Sequence, residues 1–466
     1  MYPDTICAIA TAQGGAMGTV RVSGPQAIPV TDRIFHPLQG TEALKDRPAY
    51  TLTFGQIRKE EEIIDEVLVS LFRTPHSYTG EDSTEISCHG SPYILQQVLQ
   101  LLIDEGCRLA QPGEFTQRAF LNGKMDLSQA EAVADLIASS SAATHRLAMN
   151  QMRGGFSQEL TGLRDRLLRI TSLVELELDF SEEDVEFADR EQLRQLAGEI
   201  RQVISGLVHS FSVGNAIRNG VPVAIIGETN AGKSTLLNML LREEKAIVSP
   251  IPGTTRDVIE DTINIGGVTF RFIDTAGIRE TSDTIENLGI ERTFRKLEQA
   301  EIVLWVIDAT AARKQISQLS GKLKPYCGKK QLILLLNKSD LLTDPIRRKE
   351  LSLLIEQEFP GQAGYLFLSA RDQSHSEELQ NQLIEAAHLP ALTQNDVIVT
   401  NARHYEALSK ALSAIERVEE GVQNQLSGDF LAQDIRECIF HLSDIAGEVT
   451  NDMVLQSIFE SFCIGK

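Results

Sequence analysis

The sequence predicts a multidomain α/β protein in which an α/β domain with a mostly parallel sheet is inserted into a helical domain. Three observations support this fold class. Residues 1–122 mix short β-type runs with one helical stretch, residues 127–213 follow helical periodicity with little glycine or proline, and residues 219–388 alternate strand-like runs with helical segments. Helical periodicity then returns over 389–466, so the strand-rich segment interrupts an all-α domain.

The elements of the first two regions follow from local patterns. TICAIA, GTVRV, EVLVSLF and STEISCH are typical of short strands, and YILQQVLQLLIDEG is typical of a helix that a glycine ends. We therefore expect an α+β domain over 1–122. The next region, 123–218, is the first part of the helical domain, and its apolar stripe consists of Leu160, Leu163, Leu167, Ile170 and Val174.

The inserted domain, 219–388, contains six runs that are typical of buried strands of a mostly parallel sheet. They are VPVAIIG, IEDTINI, VTFRFID, IVLWVIDA, QLILLLNK and AGYLFLSA. Residues 389–466 form the second part of the helical domain.

Composition limits the partners and the compartment. The 466 residues include 44 Lys and Arg against 65 Asp and Glu, so the formal net charge of −21 gives little long-range attraction to RNA. The six cysteines are scattered, which indicates a reducing compartment and no structural metal. The start of the chain lacks a signal-peptide pattern and no apolar run is long enough for a membrane span, so we expect a cytoplasmic protein.

A phosphate loop follows the first strand of the inserted domain. GETNAGKS at 227–234 matches G-x-x-x-x-G-K-[ST], with the strand VAII before it and the helix-like TLLNMLL after it. Lys233 supplies charge to the outer phosphates, and the Ser234 hydroxyl is a ligand for Mg²⁺. We expect Asn230, Ala231, Gly232 and Thr235 to contact the nucleotide as well.

Two further motifs suit the γ-phosphate side of such a site. PGTTRD offers Thr255 as a switch threonine that binds Mg²⁺, although an ordinary loop threonine beside Thr254 remains the alternative. DTAG follows the strand RFI, where Asp274 would hold a Mg²⁺-bound water and the Gly277 amide would sense the γ-phosphate, beside Thr275 and Ala276.

The base is predicted to be guanine. NKSD ends the strand LILLL, and the Asp340 carboxylate can accept two hydrogen bonds from the N1 and 2-amino edge that adenine lacks. Asn337 and Lys338 belong to the same motif, and the SAR segment after YLFL provides Ser369, Ala370 and Arg371 to the base. Four motifs in order predict a Ras-like P-loop G domain that hydrolyses GTP.

One position departs from Ras-like GTPases. Ile278 follows DTAG where those enzymes have the glutamine that orients the attacking water, and an aliphatic side chain cannot do this. Another group must therefore position water, and another cation must neutralise the developing charge.

The whole chain resembles the MnmE (TrmE) family of tRNA-modification GTPases, of the potassium-activated TrmE-Era-EngA type. The resemblance rests on DTICAIATAQGGAMGTVRVSGP, PGEFTQRAFLNGKMDLSQAEAVADLI, GETNAGKSTLLN and the terminal FCIGK. It implies an N-terminal domain similar to folate-binding one-carbon enzymes, which forms a homodimer and binds 5-formyl- or methylene-tetrahydrofolate. It also implies a heterotetramer with the FAD-dependent protein MnmG (GidA), which installs an aminomethyl or carboxymethylaminomethyl group at C5 of the wobble uridine in certain tRNAs.

The resemblance also assigns roles to individual residues. Folate would contact Arg21, Glu81, Lys124 and Lys466, each of which taken alone is more often a solvated surface charge. Cys463 in the CIGK tail would lie beside the folate and is a candidate catalytic residue.

The same resemblance provides the missing catalytic groups of the G domain. K⁺ would be caged by Asn230, Ser249, Ile251 and Thr254 in place of an arginine finger. Glu286 would orient water through a bridging water molecule, and its alternative is a helix-start glutamate favoured by the macrodipole.

The sequence leaves two other functions open. A ribosome-associated GTPase shares the G-domain motifs, although a single G domain and the lack of a basic RNA-binding appendage argue against it. A folate-dependent enzyme that GTP only regulates is the other possibility.

Overall fold

The computed structural model describes residues 4–12, 14–38, 42–179, 190–243, 261–273, 298–326, 330–361, 363–389 and 396–448, and positions 455, 458–460, 462 and 465. The chain divides into two compact units. The first comprises Met1–Ile137, Gln151–Gln202 and Ala407–Lys466, and the second comprises Ala138–Asn150 and Val203–Glu406.

The N-terminal part of the first unit is built on a seven-stranded sheet. Its strand order is β3-β4-β5-β6-β2-β1-β7, and every neighbouring pair is antiparallel except β1 and β7. The strands are β1 (Ile6–Ile9), β2 (Met17–Ser23), β3 (Phe35–Pro37), β4 (Thr51–Lys59), β5 (Glu62–Phe72), β6 (Ser83–His89) and β7 (Arg108–Leu109).

Three helices accompany this sheet, where the sequence predicted one. They are α1 (Ala27–Ile34), α2 (Pro92–Asp104) and α3 (Glu114–Leu121). The predicted helix is α2, which buries Leu95, Val98 and Leu102 in the same core as strand residues such as Val69. The other two have eight residues each, too short for the sequence pattern to show several turns of periodicity.

The predicted apolar stripe of the helical region is confirmed. The helices α4 (Leu127–Ala138), α5 (Ala142–Met152), α6 (Gly155–Asp179) and α7 (Arg190–Asn219) follow one another, and the five predicted stripe residues of α6 are all buried. After the inserted domain come α12 (Ala402–Gln423) and α13 (Gly428–Ala446), and α13 packs along α6. Arg417 joins α12 to α13 by ion pairs to Asp434 at 2.7 Å and Glu437 at 2.6 Å.

The second unit contains a six-stranded sheet in the order β13-β12-β11-β8-β10-β9, parallel except for the β9–β10 hairpin. All six predicted strand runs are confirmed. They form β8 (Val221–Ile226), β9 (Asp261–Ile265), β10 (Val268–Phe272), β11 (Ile302–Asp308), β12 (Gln331–Asn337) and β13 (Ala363–Phe367).

Helices cover this sheet and leave its carboxyl edge for loops. They are α8 (Lys233–Glu243), α9 (Ala312–Leu323), α10 (Pro345–Glu358) and α11 (Ser376–Ala386). Two apolar cores result, one containing Leu304 and Leu335 and the other containing Trp305 and Leu334, because neighbouring residues of a strand point to opposite faces. Strand β8 lies between β10 and β11. After β8 the chain forms β9 and β10 on one side of it and then crosses to β11 on the other, and such a switch point is where α/β sheets bind ligands.

No helix in the described parts of the chain is long and apolar enough to cross a membrane.

The sheet core of the second unit can be tested with the protein's single tryptophan as a local probe. Leu335 is fully buried in β12, so Leu335→Ala is expected to lower the free energy of unfolding of this unit by about 2–5 kcal/mol. The measurement is urea unfolding of the full chain followed by Trp305 fluorescence, since Trp305 is 1% exposed in β11. Leu353→Ala on α10, where the side chain is 50% exposed, is the control and should stay within about 0.5 kcal/mol of wild type.

Candidate nucleotide-binding site

The phosphate loop joins the end of β8 to the start of α8. Gly227 has φ +147°, and a Cβ there would lie 2.2 Å from the carbonyl oxygen of Val306 on the next strand. Gly232 has φ +99°, and a Cβ there would lie 2.1 Å from Nδ2 of Asn337. Only glycine fits both positions, because the loop must turn in the left-handed region while it contacts its neighbours closely. Backbone conformation and close contacts therefore explain why the predicted motif has glycine at these two positions.

The cation and hydroxyl of the motif lie at the helix start, as the sequence predicted. Lys233 is the first residue of α8, and its Nζ donates to the carbonyl oxygens of Gly227 and Glu228, both at 2.8 Å. Ser234 is the second residue of the helix, where the backbone N–H groups of the first turn and the helix dipole favour an anion. Asn230 is exposed in the loop with φ +64°.

Asn337 connects the phosphate loop to the segment after β13. Its Nδ2 donates to the carbonyl oxygen of Ala231 at 2.8 Å, and its Oδ1 accepts from the N–H of Ala370 at 3.0 Å. The side chain is buried, at 3% exposure. The asparagine of NKSD thus joins three of the predicted motifs.

The guanine loop, which we define as residues 337–341, is held on both sides. Lys338 has φ +60°, and its Nζ contacts Oδ2 of Asp308 at 2.6 Å. The N–H of Ser339 donates to the carbonyl oxygen of Leu368 at 3.1 Å, and Arg348 donates to the Ser339 carbonyl oxygen at 2.9 Å. Asp340 is exposed between these anchors, so its carboxylate is accessible to a base.

The segment after β13 forms a tight turn of its own. The N–H of Ser369 donates to the Ser374 hydroxyl at 2.9 Å, and the Ser369 hydroxyl donates to Asp372 at 3.1 Å. Ala370 is buried and Arg371 is exposed. The structure brings this turn, the guanine loop and the phosphate loop together at one edge of the sheet.

Asp308 is a residue of the site that the sequence analysis missed. It ends β11, and burial alone would raise the pKa of its carboxyl group. Hydrogen bonds from Lys338 and Thr310 outweigh burial and lower that pKa below its usual value. The signal was an acidic residue directly after the apolar run IVLWVI, a position at the carboxyl edge of the sheet.

Many of the predicted site residues lie outside the described residues. They are Ser249, Ile251, Thr254, Thr255, Asp274, Thr275, Ala276, Gly277, Ile278, Glu286, Cys463 and Lys466. Their roles stay predictions. In the parts of the chain that the structure describes, no cluster of three or more His, Cys, Asp or Glu side chains could hold a metal ion.

The first unit places three predicted folate residues around helix α3 and the loop before β6. Arg21 on β2 pairs with Glu85 on β6 at 2.8 Å, and its guanidinium carbon lies 5.4 Å from the ring centroid of Tyr78 and 5.7 Å from that of Phe115. Aromatic faces attract a guanidinium group. Lys124 donates from Nζ to the carbonyl oxygen of Pro75 at 2.9 Å.

Glu81 is buried, at 2% exposure, and it is part of a charged network. Its Oε2 accepts from the Ser23 hydroxyl at 2.8 Å, and Nη1 of Arg118 lies 3.3 Å from the same oxygen. Arg118 is itself fully buried and also pairs with Asp4 at 2.9 Å and Glu114 at 3.0 Å. Burial alone would raise the pKa of Glu114, but hydrogen bonds from Arg108, the Gln111 backbone and Arg118 lower it.

Comparison with known families matches nearly the whole chain. The family described as the GTP-binding protein TrmE N-terminus matches residues 5–124, and the family described as the MnmE helical domain matches residues 127–463. A tRNA modification GTPase MnmE of Bacteroides thetaiotaomicron is 72% identical over 467 residues, which cover 100% of both chains. One of Flavobacterium psychrophilum is 50% identical over 470 residues, again with 100% of both chains covered.

Solved structures match part of the chain. A crystal structure of Era in complex with MgGDPNP and nucleotides of 16S ribosomal RNA is 27% identical and covers 42% of this chain and 66% of its own, with a TM-score of 0.29. The FeoB G-domain from Methanococcus jannaschii is 26% identical and covers 36% of this chain and 97% of its own, with a TM-score of 0.26.

The role of Asp340 in base recognition can be tested by exchanging its acceptor for a donor. Asp340→Asn is expected to weaken GTP binding and to shift preference towards xanthosine nucleotides, because the acceptor pair for the guanine edge is lost. The measurement is the dissociation constant of the full chain for GDP and for XDP. We expect the ratio of the two constants to change by at least about a hundredfold, because the hydrogen bonds to the guanine edge are lost. Asp344→Asn, at the start of α10, is the control, and unchanged GTP affinity in Asp340→Asn would refute the assignment.

Proposed function

This chain belongs to the MnmE family of tRNA modification GTPases, and from that membership we propose that it uses GTP hydrolysis to drive modification of the wobble uridine. In this proposal a tetrahydrofolate one-carbon unit becomes part of an aminomethyl or carboxymethylaminomethyl group at C5 of the base. The FAD-dependent protein MnmG is the partner, in a heterotetramer. The observation that supports the GTP part most directly is the Asn337 side chain, which joins the phosphate loop to the guanine side of the site.

The G domain would bind GTP with the groups that its fold places at the sheet edge. A bound triphosphate competes with the carbonyl oxygens of Gly227 and Glu228 for the Lys233 ammonium, and the α8 N-terminus adds N–H donors. Mg²⁺ neutralises phosphate charge in such sites, and the hydroxyl oxygen of Ser234 is the type of hard ligand that it takes. We propose Thr255 as its second protein ligand.

Potassium would replace an arginine finger. Asn230 fits as a ligand, because it is exposed on the phosphate loop and its side-chain amide offers a hard oxygen. Ser249, Ile251 and Thr254 are proposed to complete the cage. Glu286 is proposed to orient the attacking water, because Ile278 replaces the glutamine that does this in Ras-like GTPases.

The residues around α3 fit a folate on chemical grounds. Arg21 provides a charge held against two aromatic rings, and Lys124 provides an exposed ammonium for the glutamate carboxylates of the cofactor. The Glu81 carboxylate has about four acceptor positions; Ser23 and the two Arg118 contacts use three of them, which leaves one for a donor of the pterin edge. Lys466 and Cys463 are proposed to complete this site.

A homodimer through the N-terminal domain is supported by an apolar strip on strand β4. Leu52 is 61% exposed and Phe54 is 45% exposed on the same side of this strand, and Tyr50 precedes it at 68% exposure. Contiguous exposed apolar residues are typical of association surfaces. We propose that a second copy of the chain covers this strip.

The proposed potassium role makes a direct prediction for turnover. GTP hydrolysis by wild type is expected to be faster in K⁺ than in Na⁺, by up to the roughly 10³–10⁵ that comparable positive groups supply. Asn230→Ala should lose most of the rate increase that K⁺ gives. Glu286→Ala should slow hydrolysis and leave the affinity for GTP unchanged. The measurement is steady-state turnover in K⁺, Na⁺ and Rb⁺ at equal ionic strength; equal wild-type rates in K⁺ and Na⁺ contradict the proposal.

The proposed tRNA function can be tested by complementation of a strain that lacks this gene. Wild type should restore the modified wobble nucleoside, measured by mass spectrometry of digested tRNA. Lys233→Ala should fail to restore it, because the positive charge that binds the outer phosphates of GTP is lost. Arg21→Ala should also fail although its GTP turnover stays normal, because it removes a folate contact and leaves the G domain unchanged.

The Arg21→Ala arm separates the candidate functions. Normal tRNA modification in that variant would contradict only the proposed folate site and would leave the GTP site unaffected. Unmodified tRNA in a strain complemented with wild type would contradict the whole proposal. A ribosome-assembly defect with intact wobble nucleosides would favour the ribosome-associated alternative.

A further inference from the structure

A hydrogen-bonded link runs from the phosphate loop to the guanine loop through a side chain that belongs to neither. Gln315 lies near the start of α9 and is 6% exposed. Its Nε2 donates to Oε2 of Glu228 at 2.8 Å, and its Oε1 accepts from the backbone N–H of Asp308 at 3.3 Å. One amide group therefore uses both its donor and its acceptor side.

Asp308 carries the link onward to the guanine loop. Its Oδ2 accepts from Lys338 Nζ at 2.6 Å, while its Oδ1 accepts from the N–H of Thr310 at 3.0 Å and from the Thr310 hydroxyl at 2.7 Å. Both carboxylate oxygens are thus occupied and the side chain is fixed. The complete link is Glu228, Gln315, Asp308 and Lys338.

The phosphate-loop end of this link carries an acidic side chain where the ligand is anionic. Glu228 is exposed, and its own carbonyl oxygen accepts from the phosphate-binding Lys233. A carboxylate that could move freely there would repel phosphate groups and could also compete for that lysine. The Gln315 amide instead holds it by a charge-assisted hydrogen bond from a buried position.

We propose that Gln315 is a positioning residue for nucleotide binding: it fixes the Glu228 carboxylate and keeps the phosphate loop in register with the Lys338 side of the guanine loop. This inference depends only on GTP binding and not on the folate, potassium or tRNA parts of the proposed function. It deepens the assignment of the GTP site by adding a residue on α9 that no sequence motif includes.

The polarity of the link allows a test by exchange of two residues. Gln315→Glu places a second carboxylate against Glu228, and we expect GDP binding about tenfold weaker, through faster release, because a hydrogen bond to a charged group becomes a repulsion. Glu228→Gln should stay within about threefold of wild type, since the new amide can turn its oxygen towards Gln315. The double exchange restores one amide donor and one carboxylate, so its affinity for GDP should return to within about threefold of wild type.

The measurement uses the full chain and a fluorescent GDP analogue, with equilibrium titration and the release rate for each variant. Unfolding followed by Trp305 fluorescence shows whether each variant retains the folded second unit. Rescue by the double exchange distinguishes positioning from general destabilisation, because a merely structural loss at residue 315 would not be repaired by a change at residue 228.

Two outcomes overturn the proposal. One is wild-type GDP binding in Gln315→Glu, and the other is a double exchange that binds no better than Gln315→Glu alone. If Gln315→Glu does not fold, Gln315→Leu removes both hydrogen bonds without adding charge. In that background Glu228→Ala should relieve part of the loss, and a further loss instead would contradict the role of Gln315 in restraining the carboxylate.

Discussion

The nucleotide site depends on the two hydrogen bonds of the Asn337 side chain. A single buried amide holds the phosphate loop through the Ala231 carbonyl oxygen and the turn after β13 through the Ala370 N–H. Loss of the Asn337 amide would leave these two buried backbone groups without this partner, and an unsatisfied buried polar group costs about 1–3 kcal/mol. The Gly232 backbone approaches this amide so closely that a Cβ has no room. The glycine of one motif and the asparagine of another are therefore one structural requirement.

The core of the G domain was predictable because its signals are local. The runs IVLWVI and LILLL are apolar on both sides, as strands between two helical layers must be, and the structure buries them as β11 and β12. The short helices α1 and α3 were not predicted, since two turns give little periodicity. Loop motifs predicted the places of Lys233, Asn337 and Asp340 because glycines and strand ends fix them in sequence.

The side chains that connect the motifs could not be predicted in the same way. Gln315 and Arg118 lie on helices, and nothing in their immediate sequence shows what they contact. Arg118 meets Asp4, Glu81 and Glu114 only because α3 packs beside β1 and the loop before β6. Such a buried network adds less stability than its ion pairs suggest, because desolvation of its charges offsets their attraction. Loss of Arg118 would nevertheless leave buried carboxylates without their cation.

An amide is a suitable partner for Glu228 on electrostatic grounds. A lysine or arginine at position 315 would also bind the carboxylate, but it would bring a second positive charge beside the phosphate loop. That charge would favour every bound anion, including diphosphate and free phosphate, and would not discriminate between the states of a hydrolysis cycle. The neutral Gln315 fixes Glu228 while the positive field at the loop comes from Lys233 and from the N–H groups of α8.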